Sequence, residues 1–143
     1  MWTAPAVLVR AWLRAVAWLE ALQPLALLAA RLYVARVFFL SGLTKIRDWD
    51  ITLALFADEY QVPLLPPEVA AVAGTAGELV LPVLLAAGLA GRCGAMGLIV
   101  LNIVAVLSLA EIAGPALQLH VFWGSLLAGL VLWGPGKGSV DHF

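Results

Sequence analysis

The 143-residue chain is 64% apolar and 12% charged, and its mean hydropathy is +1.02. Soluble domains are about 45–50% apolar and about 25% charged, so this composition excludes an ordinary water-soluble domain and indicates an integral membrane protein. The net charge of −1 argues against a nucleic-acid partner. The one cysteine, Cys93, excludes an intramolecular disulfide and any CxxC motif.

Residues 1–23 have the pattern of an amphipathic helix. Its apolar face recurs at steps of four and three along the chain, at Leu8, Trp12, Ala15, Leu19 and Leu22. Arg10 and Arg14 lie on the opposite face. The pattern predicts an N-terminal helix lying in the membrane interface. The alternative is a first membrane span, which would place these arginines in lipid at a high cost.

Four longer apolar segments follow, at about 24–46, 68–89, 94–112 and 115–133. The first has 23 residues, or about 34 Å of helix, enough to cross a hydrocarbon core of about 30 Å. Prolines open the second and fourth segments, and Gly134-Pro135-Gly136 ends the fourth. The sequence therefore predicts an all-α fold, a four-helix transmembrane bundle over residues 24–136, followed by a tail over 137–143.

The connection between the first two spans carries a second amphipathic pattern. Trp49, Leu53, Phe56 and Tyr60 are separated by steps of four, three and four residues, which places them on one helix face. Pro63, Pro66 and Pro67 follow and end the pattern. This predicts a short amphipathic helix in the first external loop.

Basic residues predict the orientation. The side shared by the two termini carries four, namely Arg10, Arg14, Arg92 and Lys137, and the opposite side carries two, Lys45 and Arg47, among several acids. Cytoplasmic loops carry an excess of arginine and lysine. We therefore expect both termini to be cytoplasmic, in the inner (plasma) membrane of a bacterium.

Charged residues inside the spans are candidate functional residues, because a charge in lipid is costly without a partner. Arg36 lies near mid-bilayer by residue count, and Glu78 is the acid deep in another span. Antiparallel packing of these spans predicts an Arg36–Glu78 ion pair. Arg31 is shallower, and we expect it to snorkel toward water or to line a polar cavity.

Four further polar residues fall inside or at the ends of the spans, namely Lys45, Asn102, Glu111 and His120. With Arg36, Glu78 and Arg31 they predict a polar cavity that serves as a ligand or proton site. Ordinary roles stay open: the Arg36–Glu78 pair as a lock on helix register, His120 as a hydrogen-bonded residue at a helix start, and Lys45 as an interface anchor. The sequence contains no P-loop, GxGxxG, HExxH or GxSxG motif, and we predict no catalytic residue and no metal site.

Four stretches resemble the DoxX family of small bacterial membrane proteins. They are RLYVARVFFLSGLTKI (31–46), GELVLPVLLAAGLAGR (77–92), HVFWG (120–124) and GPGKGSVD (134–141). The resemblance covers about residues 25–141 and implies a four-helix membrane bundle. Val140 stands where the family usually has leucine, and the N-terminal helix lies outside the common pattern. The motif positions it carries over are Arg36, Gly42, Lys45, Glu78, Pro82 and Gly88.

The resemblance also implies redox partners. One lineage of the family is similar to a subunit of thiosulfate:quinone oxidoreductase, and another joins a membrane complex that handles oxidative and thiol stress. The stretch KIRDWDITLALFADEYQVPLLPPEVA (45–70) resembles a subgroup encoded beside enzymes that modify ribosomal peptides and handle copper.

The sequence and the resemblance leave three functions open. The first is a redox-linked accessory subunit with a quinone site, no covalently bound cofactor and no catalytic activity of its own. The second is a membrane anchor for a soluble partner, and the third is a small transporter or export helper for a modified peptide or a metal. We expect contact with the lipid bilayer and a protein partner, either a redox or a peptide-modifying enzyme, and a homo-oligomer stays open.

Overall fold

The computed structural model describes residues 4–136 and 139–142, and these residues form five α-helices and no strand longer than an isolated bridge. The helices are α1 (Ala4–Arg47), α2 (Trp49–Asp58), α3 (Pro67–Ala87), α4 (Gly91–Ser108) and α5 (Gly114–Trp133). Of these, α1, α3, α4 and α5 are long and apolar enough to cross a membrane. The predicted all-α, four-helix membrane bundle is confirmed. Lys137, which contributed to the predicted orientation, lies outside the described residues.

Helix α1 is longer than predicted. It has 44 residues and continues from the N-terminal segment into the first span, with Pro24 inside the helix. The N-terminal helix and the first span were predicted as separate segments, but α1 runs through Pro24 without interruption, in a stretch of leucines and alanines that favour helix. Large apolar side chains before Pro24, such as Trp12 and Trp18, are exposed. Their place in the membrane interface stays a prediction.

The core lies between the four long helices. Its buried members are Val34, Ala35, Phe38, Leu85, Ala95, Leu98, Leu127 and Leu130. Helices α1 and α3 approach closely at Gly42, where a Cβ atom would lie 2.9 Å from Leu79 Cγ and 3.1 Å from Glu78 Cβ. This glycine places Glu78 level with the C-terminal end of α1, where Lys45 lies.

The predicted amphipathic helix in the first loop is present as α2, and it closes one end of the bundle. Asp48 caps its start by accepting a hydrogen bond from Ile51 N, and Thr52 Oγ1 donates to Lys45 O at 2.9 Å. On the inner face, Phe56 is buried against Ala70 and Ala71 of α3. Beyond α2 the loop is tied to the C-terminal end of α4, where Gln61 N donates to Ser108 O at 2.8 Å. The loop therefore forms a cover over this end.

At the opposite end, the C-terminal segment folds back on the turn between α3 and α4. Asp141 N donates to Gly88 O at 3.0 Å, and the Asp141 carboxylate accepts from Ala90 N at 2.8 Å and Gly91 N at 2.6 Å. Gly88 has a φ of +70°, and a Cβ atom there would lie 2.7 Å from Ser139 Cα. The residues predicted as a tail are therefore docked, as far as they are described.

Arg31 belongs to this end of the bundle. The residue is 2% exposed, and Nη1 donates to Pro135 O at 2.9 Å. The expectation that Arg31 snorkels toward water is wrong, because the segment after α5 supplies a carbonyl acceptor inside the protein. The guanidinium group is thus hydrogen-bonded to the segment Gly134-Pro135-Gly136, which the sequence analysis predicted as the end of the last helix.

Candidate functional site

A cavity of about 710 Å³ lies beneath α2 and the loop that follows it. All five helices contribute to its wall, which is mostly apolar. The polar side chains that line it are Ser41, Thr44, Lys45, Tyr60, Glu78, Ser108, His120 and Trp123. An apolar cavity with a few convergent polar groups is typical of sites for small molecules and cofactors.

An ion pair joins two helices at the cavity wall. Lys45 Nζ on α1 donates to Glu78 Oε2 on α3 at 2.6 Å and to Ser41 Oγ at 3.1 Å. The two charged side chains are 20% and 15% exposed. Each charge stabilises the other where the surrounding wall is apolar, so the cavity presents a neutral but strongly polar pair. A lysine ammonium has three donors, and these contacts use two of them.

The predicted Arg36–Glu78 pair does not form. Arg36 is exposed and lines a separate apolar groove between α1 and α3, beside Pro82 and Val83. The prediction compared depths in the membrane and took no account of direction around the helix. Lys45 follows Arg36 by nine residues, about two and a half turns, so the two cations point to opposite sides of α1. Lys45, and not Arg36, lies on the side of α1 that faces Glu78.

Asn102 on α4 holds His120 on α5 at another part of the wall. Asn102 Nδ2 donates to the His120 backbone oxygen at 2.9 Å, and Asn102 Oδ1 lies 2.7 Å from His120 Nδ1. The imidazole packs edge-on against Trp123, with ring centroids 5.1 Å apart. Gly124 leaves room for this arrangement, since a Cβ atom there would lie 3.2 Å from Asn102 Nδ2. The ring is therefore fixed in position by its neighbours.

Tyr60 covers the cavity from the loop after α2. Its ring lies 5.0 Å from that of Phe56, and its backbone forms a bridge with Leu109. Burial raises the pKa of the Tyr60 phenol, and the charges of Glu78 and Glu59 raise it further. Tyr60 therefore presents a neutral hydroxyl to the site. The sequence placed it on the apolar face of an amphipathic helix, and only its hydroxyl group hinted at a polar role.

A family model for DoxX matches residues 26–111, well over half of the chain. The chain belongs to the DoxX family. The match contains Lys45, Tyr60, Glu78 and Asn102, and it ends before His120. No curated protein matches the chain, and no solved structure does.

Some of the seven predicted site residues line the cavity of this DoxX protein, and the others lie elsewhere. Lys45, Glu78 and His120 line it, and Asn102 holds His120 from behind. Glu111 is exposed in the α4–α5 connection and does not line the cavity, because α4 ends at Ser108 before reaching it. Arg31 lies at the opposite end of the bundle, and Arg36 lies on the outer surface.

The alkaline stability of this DoxX protein should depend on Tyr60. Its pKa in the folded chain exceeds the unfolded value, so the folded state keeps its proton longer and stability is lost as the pH rises above about 10. We expect the midpoint of thermal unfolding to fall more steeply above that pH in the wild-type chain than in Tyr60→Phe. Tyr33→Phe serves as the control. Equal slopes for the wild type and Tyr60→Phe would contradict the assignment.

Proposed function

We propose that this DoxX protein is a redox-linked accessory subunit whose cavity binds a quinone. The observation that carries the proposal is the composition of the cavity wall. A quinone needs an apolar enclosure for its ring and tail, and hydrogen-bond donors for its carbonyl oxygens. The cavity of about 710 Å³ is large enough for such a ring.

The residues present fit that ligand. The third Lys45 donor and the neutral Tyr60 hydroxyl can donate to carbonyl oxygens. Phe38 and Trp123, whose rings are 6.0 Å apart, provide an aromatic wall against which a flat ring packs. When bound, the quinone supplies two-electron redox chemistry. This chain's part is to hold and orient it, while a partner enzyme exchanges the electrons, in line with the family's association with redox partners.

The quinone proposal is tested by what copurifies with the chain. The protein is purified from bacterial membranes in mild detergent, and bound quinones are extracted and quantified by mass spectrometry. We expect quinone with the wild type and with Arg36→Met, whose side chain lies outside the cavity, and little with Lys45→Met. The proposal fails if the wild type carries none, or if Lys45→Met carries as much as the wild type.

A role as a membrane anchor is a second candidate, supported by the first half of α1. Residues before Pro24 expose many large apolar side chains, among them Leu8, Trp12 and Trp18. A partner enzyme or the membrane surface would cover them. Loss of partner copurification on replacing Trp12 and Trp18 by serine, with quinone content unchanged, would favour this function over the first.

Both termini should lie in the cytoplasm. The native Cys93 is exposed near the start of α4, on the side of the termini, and Asp58 is exposed at the end of α2 on the other side. A membrane-impermeant thiol reagent added to intact cells should leave Cys93 unlabelled. It should label Asp58→Cys in a Cys93→Ser background. The reverse pattern would contradict the orientation.

A further inference from the structure

One ring nitrogen of His120 is committed to Asn102. The Asn102 amide nitrogen donates to a backbone carbonyl, His120 O, and this contact turns the amide oxygen toward His120 Nδ1. An amide oxygen only accepts hydrogen bonds, so Nδ1 must carry the proton. In a neutral imidazole the other nitrogen, Nε2, then has no proton and can only accept.

Two of the residues that line the cavity, Lys45 and His120, therefore need different hydrogen-bond partners. Among the described residues, His120 Nε2 has no hydrogen-bond partner. Glu78 is the carboxylate of the lining, and it already accepts from Lys45 on α1. Lys45 offers a donor and His120 offers an acceptor. A ligand that satisfies both must itself accept at one place and donate at another.

We infer that the cavity prefers a hydroquinone to the corresponding quinone, and that Asn102 is the positioning residue that sets this preference. The inference rests on the proposed quinone site. A hydroquinone hydroxyl both donates and accepts, so it can serve Lys45 and His120 alike. A quinone has only carbonyl acceptors and leaves His120 Nε2 unpaired, which weakens binding on the order of tenfold.

The test compares the two oxidation states of one ligand. The full chain in detergent is titrated under anaerobic conditions with a short-chain ubiquinone analogue and with its hydroquinone, and binding is followed by calorimetry. We expect the hydroquinone to bind about tenfold more tightly to the wild type. Equal affinities, or tighter binding of the quinone, would overturn the inference while leaving the quinone site in place. Binding of neither form would overturn both.

Three variants separate positioning from bulk packing. His120→Phe keeps an aromatic ring beside Trp123 but removes the acceptor, so hydroquinone binding should weaken to the level of quinone binding and the preference should disappear. Asn102→Leu releases the ring and should reduce the preference. Asn102→Asp keeps an oxygen that accepts the proton of Nδ1, so the hydroquinone preference should persist. A hydroquinone preference that survives in His120→Phe would overturn the inference.

A spectroscopic measurement tests the positioning without any ligand. Nitrogen-15 NMR of the imidazole distinguishes a protonated Nδ1 from a protonated Nε2. We expect Nδ1–H for His120 in the wild type, with His142→Gln removing the signals of the chain's other histidine. A spectrum with Nε2–H and unprotonated Nδ1 would overturn the inference whatever the binding data show.

Discussion

Replacing Glu78 by alanine should lower the free energy of unfolding by about 3 kcal/mol, the low end of the range for breaking a buried ion pair. The change leaves the Lys45 ammonium without its carboxylate in a mostly apolar wall. The residual exposure of both side chains, 20% and 15%, keeps the loss from being larger, because water still screens part of the unpaired charge. Thermal unfolding in detergent, followed by circular dichroism, measures the effect.

The double variant Lys45→Met/Glu78→Leu should recover most of this stability, because it removes both charges and keeps the apolar volume. It should also lose the quinone, since the donor at the cavity wall is gone. Arg36→Met is the matched control, and it should not lower stability, because Arg36 lies on the outer surface and is no part of this ion pair. Strictly additive effects of Lys45→Met and Glu78→Leu would show that the two residues do not interact.

The contrast between Lys45 and Arg36 shows what the sequence could and could not predict. The lengths of the apolar segments predicted the long helices, because crossing a membrane requires a minimum length of apolar helix. The direction of a side chain around a helix depends on which neighbours pack against each face. Small residues such as Gly42 set that packing, and the sequence shows them without showing what approaches them.

The candidate site was half predictable for a related reason. Lys45, Glu78 and His120 were identifiable because polar residues in apolar helices are costly and need a reason to be there. Tyr60 was not, since a tyrosine in an amphipathic helix is ordinary. Its role follows from the fold, which brings the loop after α2 over the ends of α1, α3 and α4.

The docking of the C-terminal segment also lay beyond sequence reasoning. Arg31 and Pro135 are 104 residues apart, and the Asp141 contact to Gly91 spans 50 residues. No local pattern links such positions. The sequence instead showed Gly134-Pro135-Gly136 as a helix stop, which is correct, while the carbonyl that this segment offers to Arg31 appears only in the fold.

Asp141→Ala should lower the free energy of unfolding by about 2–3 kcal/mol, because its carboxylate accepts two backbone hydrogen bonds at the start of α4. A negative charge at a helix N-terminus adds to their effect. Ala90 makes the site more dependent on Asp141, since its φ of +49° is uncommon for a residue with a side chain. Thermal unfolding in detergent and limited proteolysis of the C-terminal segment measure the outcome.

Asp141→Asn should lower the free energy of unfolding by less than Asp141→Ala does, since an amide oxygen can still accept one of the two hydrogen bonds. Glu111→Ala removes an exposed acid at the other end of the bundle and serves as the control, with no expected change.

Because Asp141 lies at the end opposite the cavity, the folded Asp141→Ala chain should still bind quinone. Unchanged stability and an equally protected C-terminal segment in Asp141→Ala would show that the contact does not hold this end together. Loss of quinone binding at temperatures where the variant stays folded would show that the two ends of the bundle are coupled.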